Sequence, residues 1–310
     1  MINGFNEYYK EKEHVSISSL TSFARCPRLY FYQSGCRMKP PGTPIWFTYG
    51  TALHEAMPFC IRRDLKGAMS AFMSVWQNGD MLDDSKRNTG RALALMEEVV
   101  RQHEDPLYVP IDPPEGRYEL DSSVTMDEVA FALDIGLEKP FVGKADAVGR
   151  HRDTGTIYAI EYKTASRMSA GFLNSFGYNP QAIGYALAMS MMFDEKVDGT
   201  IMEVLGVAKT MAKVALHPVQ VREQQYEEFL AWVVLQTSRI KECETLKDFP
   251  KDCSACTPYP QFGQDGFDCK FKDFCLVGDW RVLVDTMEIS TYDLFSTTKV
   301  EGLNVEGESK

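Results

Sequence analysis

The sequence FVGKADAVGRHRDTGTIYAIEYKTAS, residues 141–166, contains two short apolar runs separated by a polar turn. The runs Phe141–Val148 and Ile157–Tyr162 include several β-branched and aromatic residues, which favour strands. The segment Asp153–Thr156 contains the Asp, Gly and Thr residues that are typical of a turn. This stretch therefore predicts two neighbouring strands of one sheet.

Three charged residues accompany these predicted strands: Asp146 on the first, and Glu161 and Lys163 on the second. Because residues two apart in a strand point to the same face, we expect Glu161 and Lys163 to project together. Burying such charges beside an apolar run is costly unless they pair or hold a metal ion. Two carboxylates that bind a divalent cation, with a lysine that positions water, are suited to phosphodiester hydrolysis. From the residues alone, a surface salt bridge on an edge strand is the alternative.

The motifs in and around this stretch resemble those of a known family. GKADAV (143–148) and AIEYKTA (159–165) are similar to the paired active-site strands of RecB-like PD-(D/E)XK nucleases. GTALHE (50–55) resembles the helical motif of that family with a metal-binding histidine, and QAIGY (181–185) resembles its glutamine and tyrosine motif. SSLTSFARCPRLYFY (18–32) resembles the opening segment of the members that carry an iron-sulfur cluster. The motifs follow the family's order along most of the chain.

The resemblance implies an α/β fold, with a mixed central sheet flanked by helices, and activity as a metal-dependent DNA nuclease. An exonuclease that acts on DNA ends or single strands, in phage or bacterial recombination, repair or CRISPR-type processing, is the expected role. The implied cation is Mn²⁺ or Mg²⁺, and a histidine ligand favours Mn²⁺. The catalytic residues that the resemblance implies are Asp146, Glu161, Lys163, Gln181 and Tyr185, and the implied metal ligands are His54, Asp146, Glu161 and Tyr162.

The cysteines near the end of the chain allow two metal sites. The spacing of Cys253, Cys256, Cys269 and Cys275 suggests a structural Zn²⁺ site with four thiolates. The resemblance instead implies a 4Fe-4S cluster in which Cys26 joins three of these cysteines. Cys256, Cys269 and Cys275 are the favoured partners, and the extra Cys253 keeps the zinc alternative open. The remaining three cysteines are expected to be ordinary packing or surface residues.

The expected architecture is one nuclease domain over residues 1–280. It comprises a helical insertion region (49–105), a catalytic sheet with helices (117–242) and a cysteine-rich iron-sulfur satellite (243–280) that closes onto Cys26. Residues 281–310 are expected to form an acidic, partly disordered tail.

Periodicity and capping signals predict the individual elements. The predicted helices are one capped by Ser18, one over Tyr49–Lys66 kinked at Pro58, and others over Ala68–Trp76, Arg91–His103, Asn179–Met192 and Gln224–Glu242. The predicted strands outside 141–166 are Tyr118–Thr125, Val129–Leu133, Thr200–Val207 and Val214–Val221, and Asp105–Glu115 is predicted to be a linker.

The composition excludes a chain that coats nucleic acid through a general positive field, because the formal net charge is -11. The absence of a leader or a long apolar run leads us to expect a cytoplasmic protein without a membrane span. The expected partner is DNA, and a helicase, a recombinase or a CRISPR-adaptation protein is a candidate protein partner. A catalytically silent DNA-binding or scaffold subunit of a helicase-nuclease complex is the alternative function. The basic residues of the N-terminal segment, with Arg25 and Arg28 as candidates, are expected to contact phosphates.

Overall fold

The computed structural model describes residues 9–39, 41–42, 44–77, 85–112, 128–166, 168–207, 212–252, 255–256, 269–277 and 280–289. These residues divide into two compact units. The terminal unit contains described residues of Met1–Gly42, Leu133–Val142 and Glu228–Ser296, and the central unit contains those of Thr43–Ala132 and Gly143–Glu227. No helix in the described ranges is long and apolar enough to cross a membrane.

The helices and strands have the following bounds. The strands are β1 (Val15–Ser16), β2 (Met38–Lys39), β3 (Tyr108–Pro110), β4 (Val129–Leu133), β5 (Phe141–Ala145), β6 (Ala147–His151), β7 (Ile157–Ala165), β8 (Val197–Gly206), β9 (Lys213–Gln220) and β10 (Glu288–Ile289). The α-helices are α1 (Ile17–Arg25), α2 (Pro27–Tyr30), α3 (Ile45–Ile61), α4 (Leu65–Trp76), α5 (Thr89–Gln102), α6 (Ala170–Asn174), α7 (Pro180–Phe193), α8 (Glu223–Lys241) and α9 (Lys272–Leu276).

The central unit is built on a five-stranded mixed sheet with the order β3-β6-β7-β8-β9. β7 and β8 pair in parallel, whereas the other neighbours are antiparallel. A parallel pair needs a long crossover connection, and here α6 and α7 supply it. The two parallel strands are buried along most of their length, as strands covered on both faces are.

Helices cover both faces of this sheet. On one face, α3, α4 and α5 pack with the sheet residues Tyr158, Ile160 and Tyr162 in one apolar cluster. On the other face, Ala182 of α7 packs with Met202 and Val204 of β8. Since successive strand residues face opposite sides, Tyr162 belongs to the α3 layer and its neighbour Glu161 faces the α7 layer.

The terminal unit has an aromatic core around Phe249. This ring is fully buried and lies within 6.3 Å, centroid to centroid, of four other rings. Those rings belong to Tyr9, Phe23, Tyr30 and Phe31. β1 pairs in parallel with Phe141 and Val142, and β2 pairs with β10. The core thus joins chain segments from both ends of the sequence.

Several predicted elements differ from the structure. The strand predicted over Phe141–Val148 is interrupted by a bend at Asp146, which separates β5 from β6. The predicted linker Asp105–Glu115 contains β3, which is tolerated because Pro110 ends a strand at the sheet edge and needs no amide partner there. The predicted strand Tyr118–Thr125 lies outside the described residues.

The predictions for the first third of the chain also need correction, because besides its helices that region contains the short strands β1 and β2. α1 is capped by Ser16, whose hydroxyl accepts the amide hydrogen of Ser19, and not by Ser18. Pro58 lies inside α3 without ending it, and the predicted helix Tyr49–Lys66 instead ends at Ile61. Of the predicted acidic tail, residues up to Ile289 form a 3-10 turn and β10, and 290–310 lie outside the described residues.

Candidate active site

The carboxylate of Asp146 lies at the bend between β5 and β6 and is held by two groups. Its Oδ2 accepts a hydrogen bond of 2.7 Å from the main-chain amide of Tyr162 on β7. Its Oδ1 lies 3.5 Å from Nδ1 of His54 on α3. The His54 ring also meets the Tyr162 ring edge-on, with 5.9 Å between centroids. The bend thus places the carboxylate of Asp146 beside the imidazole of His54 on α3.

Glu161 is only 4% exposed, and its two carboxylate oxygens have different surroundings. Oε1 accepts from the Lys163 ammonium and, over 2.8 Å, from the side-chain amide of Gln181 on α7. The same amide of Gln181 lies 3.1 Å from the hydroxyl of Tyr185, one turn further along the helix. Oε2 is buried and has no hydrogen-bond partner within the part of the chain that the structure describes. A buried oxygen without a partner is costly, and it is available to a ligand.

The electrostatics of the site indicate an excess of negative charge. Burial raises the pKa of Glu161 to about 7, and the charge of Asp146 adds to this rise while Lys163 opposes it. Burial also acts to raise the pKa of Asp146, but the hydrogen bond and charge of His54 outweigh it and lower that pKa. For His54, burial acts to lower the pKa, and the interactions with Asp146 outweigh this effect and raise it. A buried acid and a partly buried one that are only partly compensated favour a cation nearby.

All the residues predicted for the active site are therefore brought together in the central unit. His54 comes from α3, Asp146 from the bend, Glu161, Tyr162 and Lys163 from β7, and Gln181 and Tyr185 from α7. In the described ranges, no three His, Cys, Asp or Glu side chains are grouped closely enough to qualify as a metal site as they stand. The donor set still fits a divalent cation, since it combines two carboxylates, one with an unpartnered oxygen, and an imidazole.

A second buried polar cluster, centred on Glu203 next to Tyr162 in the sheet, was not predicted from the sequence. Glu203 on β8 is fully buried, pairs across the sheet with Tyr162, and accepts a 2.5 Å hydrogen bond from the hydroxyl of Tyr108. His103 lies 3.7 Å from the other carboxylate oxygen of Glu203. Burial, together with the charge of Glu203, raises the pKa of Tyr108 well above its usual value. An acid within the apolar run Thr200–Val207 was the available signal.

Two of the cysteines predicted to bind a cluster contact the main chain of Asp252 through their sulfurs, and a third is hydrogen-bonded to one of them through the main chain. The Cys26 sulfur accepts from the main-chain amide of Asp252 over 3.4 Å, and the Cys256 thiol donates to the carbonyl of the same residue over 3.7 Å. The amide of Cys269 donates to the carbonyl of Cys256 over 2.9 Å. Burial raises the pKa of the Cys275 thiol, the nearby Lys251 and Arg28 oppose this rise, and Cys256 and Cys269 add to it. Cys253 lies outside the described residues.

Two arginines that were predicted to contact phosphates have structural partners in the terminal unit. The Arg28 guanidinium donates to the carbonyls of Phe249 over 2.8 Å and Leu246 over 3.0 Å. The Arg25 guanidinium donates to the carbonyl of Ala255 over 3.3 Å. No local pattern indicated these partners, which are more than 200 positions away. These contacts give both side chains a part in holding the chain around residues 246–255, and the predicted phosphate contacts stay a prediction.

Comparison with known proteins identifies a family. A family model described as the PD-(D/E)XK nuclease superfamily matches residues 14–275, which is most of the chain. Among the curated proteins there is no significant match. A solved structure described as "Crystal structure of SSO0001" aligns at 16% identity and a TM-score of 0.30, over 74% of this chain and 79% of that chain.

Proposed function

Because the chain belongs to the PD-(D/E)XK nuclease superfamily, we propose that it is a divalent-metal-dependent deoxyribonuclease that removes nucleotides from DNA ends or single strands. The observation that carries this proposal is the unpartnered, buried Oε2 of Glu161 beside the carboxylate of Asp146. A buried carboxylate oxygen without a partner near a second acid is costly, and a bound cation would satisfy it. The free oxygen favours an active site over a silent scaffold.

The residues of the site have separate roles in this proposal. Lys163 contacts Glu161, so its ammonium is placed to orient a water molecule and to offset negative charge that develops on the phosphate. Gln181 fixes the Glu161 carboxylate, and Tyr185 in turn contacts Gln181. These two side chains are positioning residues, since they act through the acid.

The groups that would hold a divalent cation are the carboxylates of Asp146 and Glu161, the imidazole of His54 and the main-chain oxygen of Tyr162. When bound, Mn²⁺ or Mg²⁺ polarises the phosphate and lowers the pKa of a water molecule. The imidazole favours Mn²⁺, because Mg²⁺ prefers oxygen ligands throughout.

The nuclease proposal is tested by incubating end-labelled single-stranded and duplex DNA with Mn²⁺ or Mg²⁺. We expect Lys163→Ala to reduce cleavage at least about 100-fold, the size of effect for removing one charge-stabilising group, without loss of fold by circular dichroism. Lys196→Ala is the matched control, because Lys196 is 86% exposed in its side chain and forms a surface pair with Asp198. Cleavage by Lys163→Ala at the parental rate would contradict the assigned site. A parent protein that binds DNA without cutting it would instead favour the scaffold alternative.

We also propose that Cys26, Cys256, Cys269 and Cys275 bind a 4Fe-4S cluster. The support is that the Cys26 and Cys256 sulfurs both contact the main chain of Asp252, and that the main-chain amide of Cys269 donates to the carbonyl of Cys256. Four thiolates are the usual ligand set of such a cluster. A zinc site on Cys253, Cys256, Cys269 and Cys275 would not need Cys26, so this residue distinguishes the two metals.

The cluster proposal predicts that the parent protein contains iron and shows the visible absorption of an iron-sulfur centre. Cys26→Ala should remove that absorption, because the N-terminal ligand is lost. Cys60→Ala, at a buried cysteine of α3 in the central unit, should leave it unchanged. Stoichiometric zinc in place of iron, unaffected by Cys26→Ala, would support the zinc site.

A further inference from the structure

Phe47 is 63% exposed although it is a large apolar residue. It precedes His54 by seven residues in α3. Seven residues make about two helical turns, so both side chains share one face of the helix, about 10 Å apart along its axis. An exposed aromatic ring is therefore aligned with the candidate active site.

The part of α3 between Phe47 and His54 packs along the last residues of β7. A side-chain carbon added at Gly50 would lie 3.3 Å from the hydroxyl oxygen of Thr164, and the His54 ring contacts that of Tyr162. The absence of a side chain at Gly50 thus permits close packing of the helix on the strand. Because α3 runs along β7 from Tyr162 to Thr164, Phe47 lies beyond the Thr164 end. A polymer bound at the active site and leaving in this direction would meet the ring.

The second helix of the site has a similar feature. Tyr178 is 88% exposed and precedes Gln181, whose amide contacts Glu161, by three residues. It ends a 3-10 turn that leads into α7. α7 covers the sheet face opposite to α3, so in each helix layer an exposed ring precedes a site residue along the chain.

We propose that Phe47 and Tyr178 are stacking platforms for the bases of single-stranded DNA, an inference that rests on the proposed function. Unpaired bases stack on aromatic side chains, and every base has a flat face that can do so. In a duplex, these faces are covered by the neighbouring base pairs. Contacts to the DNA backbone alone would be made by lysine and arginine, not by an exposed phenyl ring. The rings therefore select unpaired strands and do not read a sequence.

The first test measures binding of a labelled single-stranded oligonucleotide in Ca²⁺, and cleavage kinetics in Mn²⁺. We expect Phe47→Ala to weaken single-strand binding about tenfold and to raise KM more than it lowers kcat, since one base stack is lost. Phe47→Trp should restore binding, and Tyr178→Ala should weaken it in the same direction. Leu235→Ala is the control, because Leu235 is also a large apolar residue, 54% exposed, in the other unit. Unchanged binding by Phe47→Ala, or equal loss for single-stranded and duplex DNA, would overturn the proposal.

The second test scans single abasic sites along the oligonucleotide. If Phe47 stacks on a base about 10 Å from the metal ligands, the sensitive position lies about three nucleotides from the cleaved bond, at the 3.4 Å spacing of stacked bases. An abasic site there should weaken binding by the parent protein and have no further effect on Phe47→Ala. Additive losses at every position would contradict a stack. A parent protein that cuts no DNA counts against the proposed function. In that case, the comparison of single-strand binding by the parent and by Phe47→Ala in Ca²⁺ still tests whether the rings stack on bases.

Discussion

At the scale of single residues, the two oxygens of Glu161 explain why this acid is suited to chemistry. Oε1 is held by Lys163 and Gln181, which fix the position of the carboxylate. Oε2 keeps its capacity to accept and is shielded from solvent. Fixing one oxygen and leaving the other available gives a preorganised ligand, at the cost of a buried charge near Asp146.

The first prediction at this scale concerns Glu161→Gln. We expect the metal-free variant to be at least as stable as the metal-free parent, because the amide removes a buried charge beside Asp146. Mn²⁺ at about 100 times its Kd should stabilise the parent by about 2.7 kcal/mol and the variant by much less. Thermal unfolding with and without Mn²⁺ measures both effects. Glu195→Gln, at an exposed partner of Arg150, should keep the parental Mn²⁺ response. A full response in Glu161→Gln would exclude Glu161 as a ligand.

At the scale of secondary-structure elements, the strands hold the site through two irregularities. The bend at Asp146 lets its carboxylate reach the amide of Tyr162 on the next strand of the sheet. A bulge shifts the register between β7 and β8 at Tyr158, which pairs with Gly199. Bulges of this kind are frequent near active sites, because they re-aim the residues that follow.

The second prediction tests that bulge. Gly199 has a φ of 155°, and a side-chain carbon there would lie 1.9 Å from the carbonyl oxygen of Val219 on β9. Gly199→Ala should therefore lower the free energy of unfolding by at least about 3 kcal/mol. Gly171→Ala in α6 is the control, since a carbon there would have no neighbour within 4 Å and alanine favours a helix. Urea unfolding that gives equal stabilities for the two variants would contradict this description of the bulge.

At the scale of the whole molecule, each unit has its own core. The central unit is organised around the sheet residues and α3, and the terminal unit around Phe249. Mutations in one core are expected to act first on the unit that contains it.

The third prediction uses Phe249→Ala. Removing a fully buried ring should cost about 3–5 kcal/mol, and Tyr30 and Phe31 lose a packing partner. Hydrogen exchange followed by mass spectrometry should show faster exchange in α1 and α2 and little change in β7 and β8. Equal acceleration in β7 would show that the units unfold together.

The sequence predicted those features that depend on neighbours along the chain. Strand periodicity placed Glu161 with Lys163, and helical spacing placed Gln181 with Tyr185, as the hydrogen bonds confirm. It did not predict contacts between distant segments. The partner of Glu203 is Tyr108, 95 positions away in a presumed linker, so no local pattern indicated the pair. The bend at Asp146 was also missed, because Phe141, Val142 and Val148 on its two sides suit one continuous strand.

The interleaved order of the two units has a consequence for synthesis on the ribosome. The terminal unit takes its residues from three separate stretches, and the last begins at Glu228. At about 5–20 residues per second, the nascent N-terminal stretch waits on the order of 10–40 s for its partner to be translated. During that time the side chains of Phe23, Tyr30 and Phe31 lack Phe249 as a partner. The N-terminal stretch that contains these side chains would therefore be a binding site for a chaperone that shields apolar segments of nascent chains. It would be released once Phe249 has been translated.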